Sequence, residues 1–182
     1  SSPASDVYKR QGVTYVEGTL LDVPSLLAEL QGVDAVVVAV APRGDMEGLV
    51  RPNIEALAST LPEGVRLGVV GGAGGSLVAP GGPRLVDSGF PEEFKAEALE
   101  MIGVLDDLQA EQSDRDWFFI HPAGGFGGFN PGERHGTYRD GGDVLVVDEN
   151  GDSFISGEDF AIAVVDEIEN PKHSRGRFTV GY

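Results

Sequence analysis

The glycine-rich run Gly71 to Gly75, which follows a β-branched apolar segment, is the first feature of this sequence that could do chemistry. Because glycine has no side chain, its backbone can approach a phosphate or a ribose closely. The run is not a dinucleotide-binding fingerprint because, counted from Gly72, the third glycine position is Leu77, and no helix pattern follows. It is instead a loop at the carboxyl end of a predicted central strand, where open α/β sheets bind ligands. We therefore predict that this loop contacts a ligand.

Two side chains next to predicted loops could also contact a ligand. His121 ends an apolar strand pattern directly before Pro122, and its imidazole could bind a ligand or make a structural hydrogen bond. Lys95 lies in the first turns of the longest helix pattern and could donate to a ribose hydroxyl, whereas most lysines on helices are simply solvated. These residue types leave both alternatives open at both positions.

The sequence predicts no metal site. Four residues fall at positions one, three, five and twelve of a calcium-binding loop, but Ser153 replaces the glycine that such a loop requires at position six. These four are Asp148, Asn150, Asp152 and Asp159. A hairpin turn explains the segment better. The chain has no cysteine, its histidines lack metal-binding spacing, and no GxSxG motif supports serine hydrolysis.

The candidate residues need a scaffold, and the apolar periodicity predicts strands and helices in alternation. The predicted strands are Val13–Glu17, Asp34–Val40, Val65–Val70 and Asp116–His121, and the predicted helices are Leu26–Leu30, Asn53–Leu61 and Pro91–Gln112. Continuous β-branched runs are typical of parallel strands that helices cover on both faces. The pattern therefore predicts an α/β fold of three layers.

Turn and capping signals predict a small hairpin, a helix and a last strand in the C-terminal part. These elements are predicted at Val144–Val147 with Ser153–Ser156, at Glu158–Glu169 and at Arg177–Val180. Asn150-Gly151 is a strong signal for the hairpin turn. Ser156 and Asp159 form a capping-box pattern at the start of the helix.

Charge and apolar content exclude several classes of protein. The net charge is −17, and so acidic a surface repels nucleic acid. The longest strongly apolar run, Ala35 to Ala41, is far shorter than the roughly 20 residues of a membrane-spanning helix. We therefore expect neither nucleic acid nor membrane as a partner. A length of 182 residues predicts one domain, and the lack of cysteine fits the cytoplasm.

Residues 1–11 differ from the rest of the chain. They lack apolar periodicity and any signal-peptide pattern. Asp6 to Gln11 also match the translation of a transposon end that is used to prepare sequencing libraries. We expect residues 1–11 to be an artefactual tail and residues 12–182 to be the domain.

Several motifs carry a resemblance to a known family. The chain resembles the atypical short-chain dehydrogenase/reductases and, more narrowly, their NmrA-like, NAD(P)H-binding group of NADH-flavin reductases. The matching segments are GGAGGS (71–76), FKAEA (94–98), PGER (131–134), ISGEDFA (155–161), ENP (169–171) and RFTVGY (177–182). The resemblance extends from Gly12 to Tyr182, and its C-terminal third is the most specific part.

The resemblance implies a Rossmann-type sheet with NAD(P)H lying across the strand ends. It places cofactor contacts after each central strand, and in this sequence those positions are Thr19, Leu20, Ala39, Val40, Ala41, Pro42, Gly71, Gly72, Ala73, His121, Pro122, Ala123 and Gly124. It also implies that Lys95, the one catalytic candidate, contacts the ribose. The nicotinamide is expected against Pro122 and Ala123.

Three departures from the family pattern change what we expect. The family begins with a strand, a glycine turn and a helix, then a second strand, and no such pattern precedes Gly12. The family's Gly-Asp after its third strand is Gly18-Thr19 here, and Pro91 stands where a catalytic tyrosine would precede Lys95. We therefore expect a truncated Rossmann-type domain. By itself it should bind NAD(P)H poorly or not at all and be inactive.

The function that the resemblance implies is NAD(P)H binding, in a parent protein that transfers hydride to a flavin or a quinone-like acceptor. The alternative is a non-catalytic NAD(P)-sensing regulator of the NmrA type. An epimerase or dehydratase is disfavoured because the tyrosine is missing. The expected ligands are NAD(P)H and a small-molecule substrate or flavin, and the oligomeric state stays open.

Overall fold

Helices and strands largely alternate along the chain in this computed structural model, which describes residues 12–182. The α-helices are α1 (Val23–Glu29), α2 (Val50–Thr60), α3 (Lys95–Ala110) and α4 (Gly157–Glu169). The strands are β1 (Ala35–Val38), β2 (Arg66–Val70), β3 (Trp117–His121), β4 (Arg139–Asp140) and β5 (Gly176–Gly181). The expected artefactual tail, residues 1–11, lies outside the described residues.

The strands form one mostly parallel sheet in the order β1-β2-β3-β5-β4. β1, β2, β3 and β5 run parallel, and the short β4 pairs antiparallel with β5. Because neighbouring parallel strands point the same way, the loops after β1, β2 and β3 leave the sheet at one edge. The predicted α/β, Rossmann-like fold is confirmed.

Helices cover both faces of the sheet. On one face, α1, α2 and α3 pack against Leu67, Val69 and Phe119. On the other face, α4 packs against Phe118 and Phe178. Consecutive residues of a strand point to opposite faces of the sheet. In a strand that lies between two helical layers, the residues on both faces must therefore be apolar. This explains the continuous apolar runs and confirms the prediction of three layers.

The prediction of a strand at Val13–Glu17 is wrong. This segment forms no strand within the described residues, and the side chains of Val13 and Val16 are more than half exposed. A strand needs a neighbour to satisfy its backbone groups, and no described strand lies beside this segment. β1 is consequently an edge of the sheet among residues 12–182.

The predicted C-terminal hairpin forms its turn but not its ladder. The turn at Asn150-Gly151 closes with a bond from the Asp148 N–H to the Asp152 carbonyl, 2.8 Å long. The arms on either side bond to other segments. The Leu145 N–H donates to Leu77, and the Phe154 carbonyl accepts from the Tyr182 N–H. Long-range partners therefore take the backbone groups that a hairpin ladder would use.

Side chains that cap the first turn explain where two helices begin. The Ser156 hydroxyl accepts from the Asp159 N–H, as the capping pattern predicts, and α4 starts at the next residue. α2 begins at Val50, before its predicted start at Asn53, because the Glu100 carboxylate of α3 accepts from the Val50 and Arg51 N–H groups. A side chain from another helix thus satisfies free donors at the first turn.

Candidate functional site

A cavity of about 480 Å³ lies at the carboxyl ends of β1, β2 and β3. Ten of the positions expected to contact a cofactor line it: Ala39, Val40, Ala41, Pro42, Gly71, Gly72, Ala73, Pro122, Ala123 and Gly124. The three loops come from distant parts of the chain and meet there because the parallel strands end at one edge. The expected convergence of these loops is therefore what the structure has.

Four expected contacts do not line this cavity. Leu20 is buried in the apolar cluster beside α1 and α2. The Thr19 hydroxyl accepts from the Leu21 N–H just before α1. The Lys95 ammonium lies 3.6 Å from the Glu92 carboxylate, and His121 lies buried beneath the cavity floor. These four side chains thus lie outside the cavity lining, although His121 contacts Gly72 from beneath it.

The glycine-rich run is explained mainly by close packing on rings. A Cβ at Gly71 would lie 2.1 Å from the Phe119 ring, and one at Gly75 would lie 2.7 Å from the His121 ring. Such separations are far inside van der Waals contact, so side chains at these positions would force the loop off the sheet. These glycines are needed to seat the loop on β3.

Gly72 is the exception within this run. A Cβ built there has no atom within 4 Å, and its φ of −107° is accessible to any residue. Neither packing nor backbone conformation therefore requires a glycine at this position. Because Gly72 lines the cavity, the open space beside it belongs to the candidate site.

His121 fixes the loop from below. Its Nδ1 lies 2.8 Å from the Gly72 carbonyl oxygen, and a carbonyl can only accept, so Nδ1 carries the proton. Burial, together with the nearby Arg177 guanidinium and against the opposing hydrogen bond to Gly72, lowers the pKa of His121 to about 4. His121 is therefore neutral at physiological pH and holds a backbone carbonyl of the cavity wall in place.

Aromatic side chains that sequence reasoning missed form much of the cavity wall. Phe90 and Phe94 line it from the segment before α3, and Phe126 and Phe129 line it from the loop after β3. The repeated Gly-Gly-Phe of residues 124–129 was the available signal. An apolar, ring-lined cavity suits a flat aromatic ligand.

Two charged side chains line the cavity, and they form an ion pair. The guanidinium of Arg43, in the loop after β1, donates Nη2 to Glu97 of α3 over 2.9 Å and donates Nε to the other carboxylate oxygen. The bidentate pair adds no net charge to the wall. Sequence reasoning missed both residues, because only the tertiary structure brings them together.

No metal ion or membrane span is supported in the part of the chain that the structure describes. Residues 12–182 contain no group of three or more histidine, aspartate or glutamate side chains that could hold a metal ion. None of the helices in this range is both long and apolar enough to cross a membrane.

Comparisons with known proteins place this geometry in context. The model of a family described as NAD(P)H-binding matches residues 1–171. The Bacillus subtilis protein YwnB is 42% identical over 165 residues, which cover 87% of this chain and 76% of YwnB. Two crystal structures are also similar to this chain.

One, from Streptococcus pneumoniae, is named a putative NADH-flavin reductase. It has a TM-score of 0.81 and 33% identity, covering 96% of this chain and 82% of its own. The other, from Bacteroides thetaiotaomicron, is named a putative epimerase. It has a TM-score of 0.83 and 34% identity, covering 100% of this chain and 82% of its own.

Proposed function

Because this chain belongs to the NAD(P)H-binding family, we propose that its cavity holds the nicotinamide of NAD(P)H beside a flat hydride acceptor such as a flavin or a quinone. The NAD(P)H-binding, oxidoreductase-like role follows from the family and from the relative named an NADH-flavin reductase. The acceptor is our proposal. The ring-lined wall supports it because aromatic side chains favour flat apolar ligands.

Gly72 is the observation that carries the proposal. It lines the cavity, yet nothing within the protein requires a glycine there. A ligand that approaches the backbone closely explains the missing side chain. We assign the backbone of Gly71 to Ala73 to the nicotinamide ribose, and Pro122 with Ala123 to the nicotinamide ring. Lys95 is left out of this set because its ammonium pairs with Glu92 and it does not line the cavity.

In such a reaction the protein positions the two reactants and excludes water from them. NAD(P)H, when bound, supplies the hydride, so the protein needs no covalent group. The glycine-rich loop of residues 71–75 orients one reactant, because the His121 hydrogen bond and the ring contacts with β3 fix the backbone of this loop. The apolar wall around Met101 and Phe126 keeps water from the reacting atoms.

Gly72→Ala tests this placement. The added methyl group should raise the Kd of NADPH about tenfold, because one misplaced methyl group in a binding site costs about 1–3 kcal/mol. NADPH fluorescence measures the Kd, and thermal unfolding should show an unchanged Tm, because the new methyl has open space.

Gly157→Ala is the matched control. Gly157 also has open space and no positive φ, but it lies at the start of α4 and does not line the cavity. Its Kd for NADPH should equal that of the wild type. If Gly72→Ala binds NADPH as tightly as Gly157→Ala does, the nicotinamide does not lie where we propose.

A non-catalytic NAD(P) sensor is the second candidate, and Pro91 favours it. Pro91 lines the cavity where a catalytic tyrosine would stand in related enzymes, and Arg43 and Glu97 are the ionisable side chains among the described lining residues. Absorbance at 340 nm separates the candidates. NADPH oxidation with added riboflavin or menadione supports the reductase, whereas NADPH binding without oxidation supports the sensor.

A further inference from the structure

Phe129 is both highly exposed and part of the cavity wall. Its side chain is 79% exposed, more than any other large apolar side chain among residues 12–182, and it nevertheless lines the cavity. An exposed phenylalanine ring is costly, since burying one contributes about 1.5–3 kcal/mol. A ring held in water at the mouth of an apolar cavity has a place to be buried once a ligand fills that cavity.

The loop that carries Phe129 is fixed at its base. The Gly125 N–H donates to the Ser153 carbonyl over 2.7 Å, and the Gly124 N–H donates to the Ser153 hydroxyl over 2.9 Å. Phe126 packs on Phe160 of α4 with ring centroids 4.7 Å apart. The root of the loop is therefore anchored to the rest of the fold.

The tip of the loop is shaped to present the ring. Gly127 has a φ of +151°, and a Cβ there would lie 2.7 Å from the Phe129 ring. The Asn130 N–H donates to the Gly127 carbonyl over 3.0 Å and closes a tight turn. Glycine at 127 thus leaves room for the Phe129 ring to lie over the backbone.

The charges that line the cavity favour an uncharged hydride acceptor. Arg43 and Glu97 neutralise each other, and the protein as a whole carries −17. A phosphate on the acceptor would lie beside the Glu97 carboxylate, whose repulsion offsets the attraction of Arg43. An uncharged acceptor ring meets no such cost.

We propose that Phe129 stacks on an uncharged planar ring in the cavity, and that this contact selects the hydride acceptor. This inference rests on the proposed reductase function, because it names the class of acceptor for the same site. Phe129 is thus a specificity-determining residue. Its ring contacts the acceptor and takes no part in the contacts with the nicotinamide.

Lumiflavin, an uncharged flavin ring, is the probe, and quenching of its fluorescence reports binding to the full chain. Phe129→Ala should raise the Kd of lumiflavin about three- to tenfold, the range that corresponds to one aromatic stacking contact. Phe129→Tyr keeps a ring and should restore wild-type affinity. Leu99→Ala removes a different exposed apolar side chain, which lies outside the cavity, and should leave the Kd of lumiflavin unchanged.

Two further binding measurements, with FMN and with NADPH, test the proposal. FMN carries the same ring with a phosphate, and the wild type should bind it more weakly than lumiflavin. Tighter binding of FMN would overturn the assignment of an uncharged ligand. The Kd of NADPH, measured separately, should be the same for the wild type and Phe129→Ala.

The failures of the two proposals are distinguishable. If the wild type binds NADPH but not lumiflavin, or if Phe129→Ala binds lumiflavin like the wild type, the role of Phe129 is wrong and the cofactor site stands. If NADPH does not bind but lumiflavin does, with the expected loss in Phe129→Ala, the ring site stands and the cofactor assignment is wrong. If neither binds, both proposals are wrong.

Discussion

Replacing His121 should remove a specific part of the pH dependence of folding. His121 has a pKa of about 4 in the folded protein against an ordinary value of 6.5, because burial disfavours its charged form. The unfolded chain therefore binds a proton near pH 6.5, whereas the folded chain does not until about pH 4. The stability associated with neutral His121 is complete above pH 6.5 and is lost progressively as the pH falls towards 4.

The size of this loss follows from the two pKa values. At about 1.4 kcal/mol for each pKa unit, the full difference amounts to about 3 kcal/mol. By pH 5.0 the loss should already be about 2 kcal/mol. That pH lies above the isoelectric point of about 4.3, so the protein keeps net negative charge and solubility during the measurement.

His121→Asn is the informative variant because an asparagine amide can still donate to the Gly72 carbonyl but does not titrate. Urea unfolding, followed by the fluorescence of the buried Trp117, gives the free energy of unfolding at pH 7.5 and pH 5.0. Between these values the wild type should lose about 2 kcal/mol more than His121→Asn. The wild type and His121→Asn share every other titratable side chain, so the contributions of those side chains cancel.

His121→Leu provides the second comparison. It also removes the titration, but it leaves the Gly72 carbonyl without its donor, and it should therefore be about 1–3 kcal/mol less stable than His121→Asn at every pH. Equal pH dependence in the wild type and His121→Asn would refute the reasoning, since it would show that His121 accepts a proton as readily when folded as when unfolded.

Three further substitutions have clear expected outcomes. The Asp159 carboxylate is buried, but hydrogen bonds from Tyr182, His135, Gly136 and Ser156 outweigh that burial and lower its pKa to about 2. Asp159→Asn should cost about 2 kcal/mol at pH 7 by urea unfolding, and the difference should shrink as the pH falls from 4 towards 2; a difference independent of pH would contradict this. Glu100→Gln should cost about 1–2 kcal/mol in the same assay because it weakens the cap of α2, and unchanged stability would mean that the cap contributes nothing. Gly75→Ala should lower the Tm clearly because its methyl group meets the His121 ring, whereas Gly157→Ala should not.

Patterns that depend on near neighbours were readable from the sequence. The strands at β2 and β3, the cap at Ser156 and the turn at Asn150-Gly151 each depend on residues a few positions apart. Parallel strands then bring their following loops to one edge, so the position of the cavity also followed from the order of elements. The family resemblance supplied the expectation of NAD(P)H, which the matching family model confirms.

The two wrong elements failed because a strand depends on its partner. Val13–Glu17 has the composition of a strand, but no described strand lies beside it. The arms of the predicted hairpin have a good turn, yet Leu77 and Tyr182 take their backbone groups. Composition indicates that a segment can pair, and the tertiary structure decides whether and with what it pairs.

The chemistry of the cavity wall was decided by the tertiary structure alone. The bond between His121 and Gly72 joins residues 49 positions apart, and the pair of Arg43 and Glu97 joins residues 54 positions apart. No local periodicity records such contacts, because each side chain satisfies only the ordinary preferences of its own strand, loop or helix. The sequence by itself determined the order of the parallel strands, and hence the edge of the sheet at which the cavity lies. Its neutral charge, its aromatic wall and the seating of its glycine loop arose only when distant segments packed together.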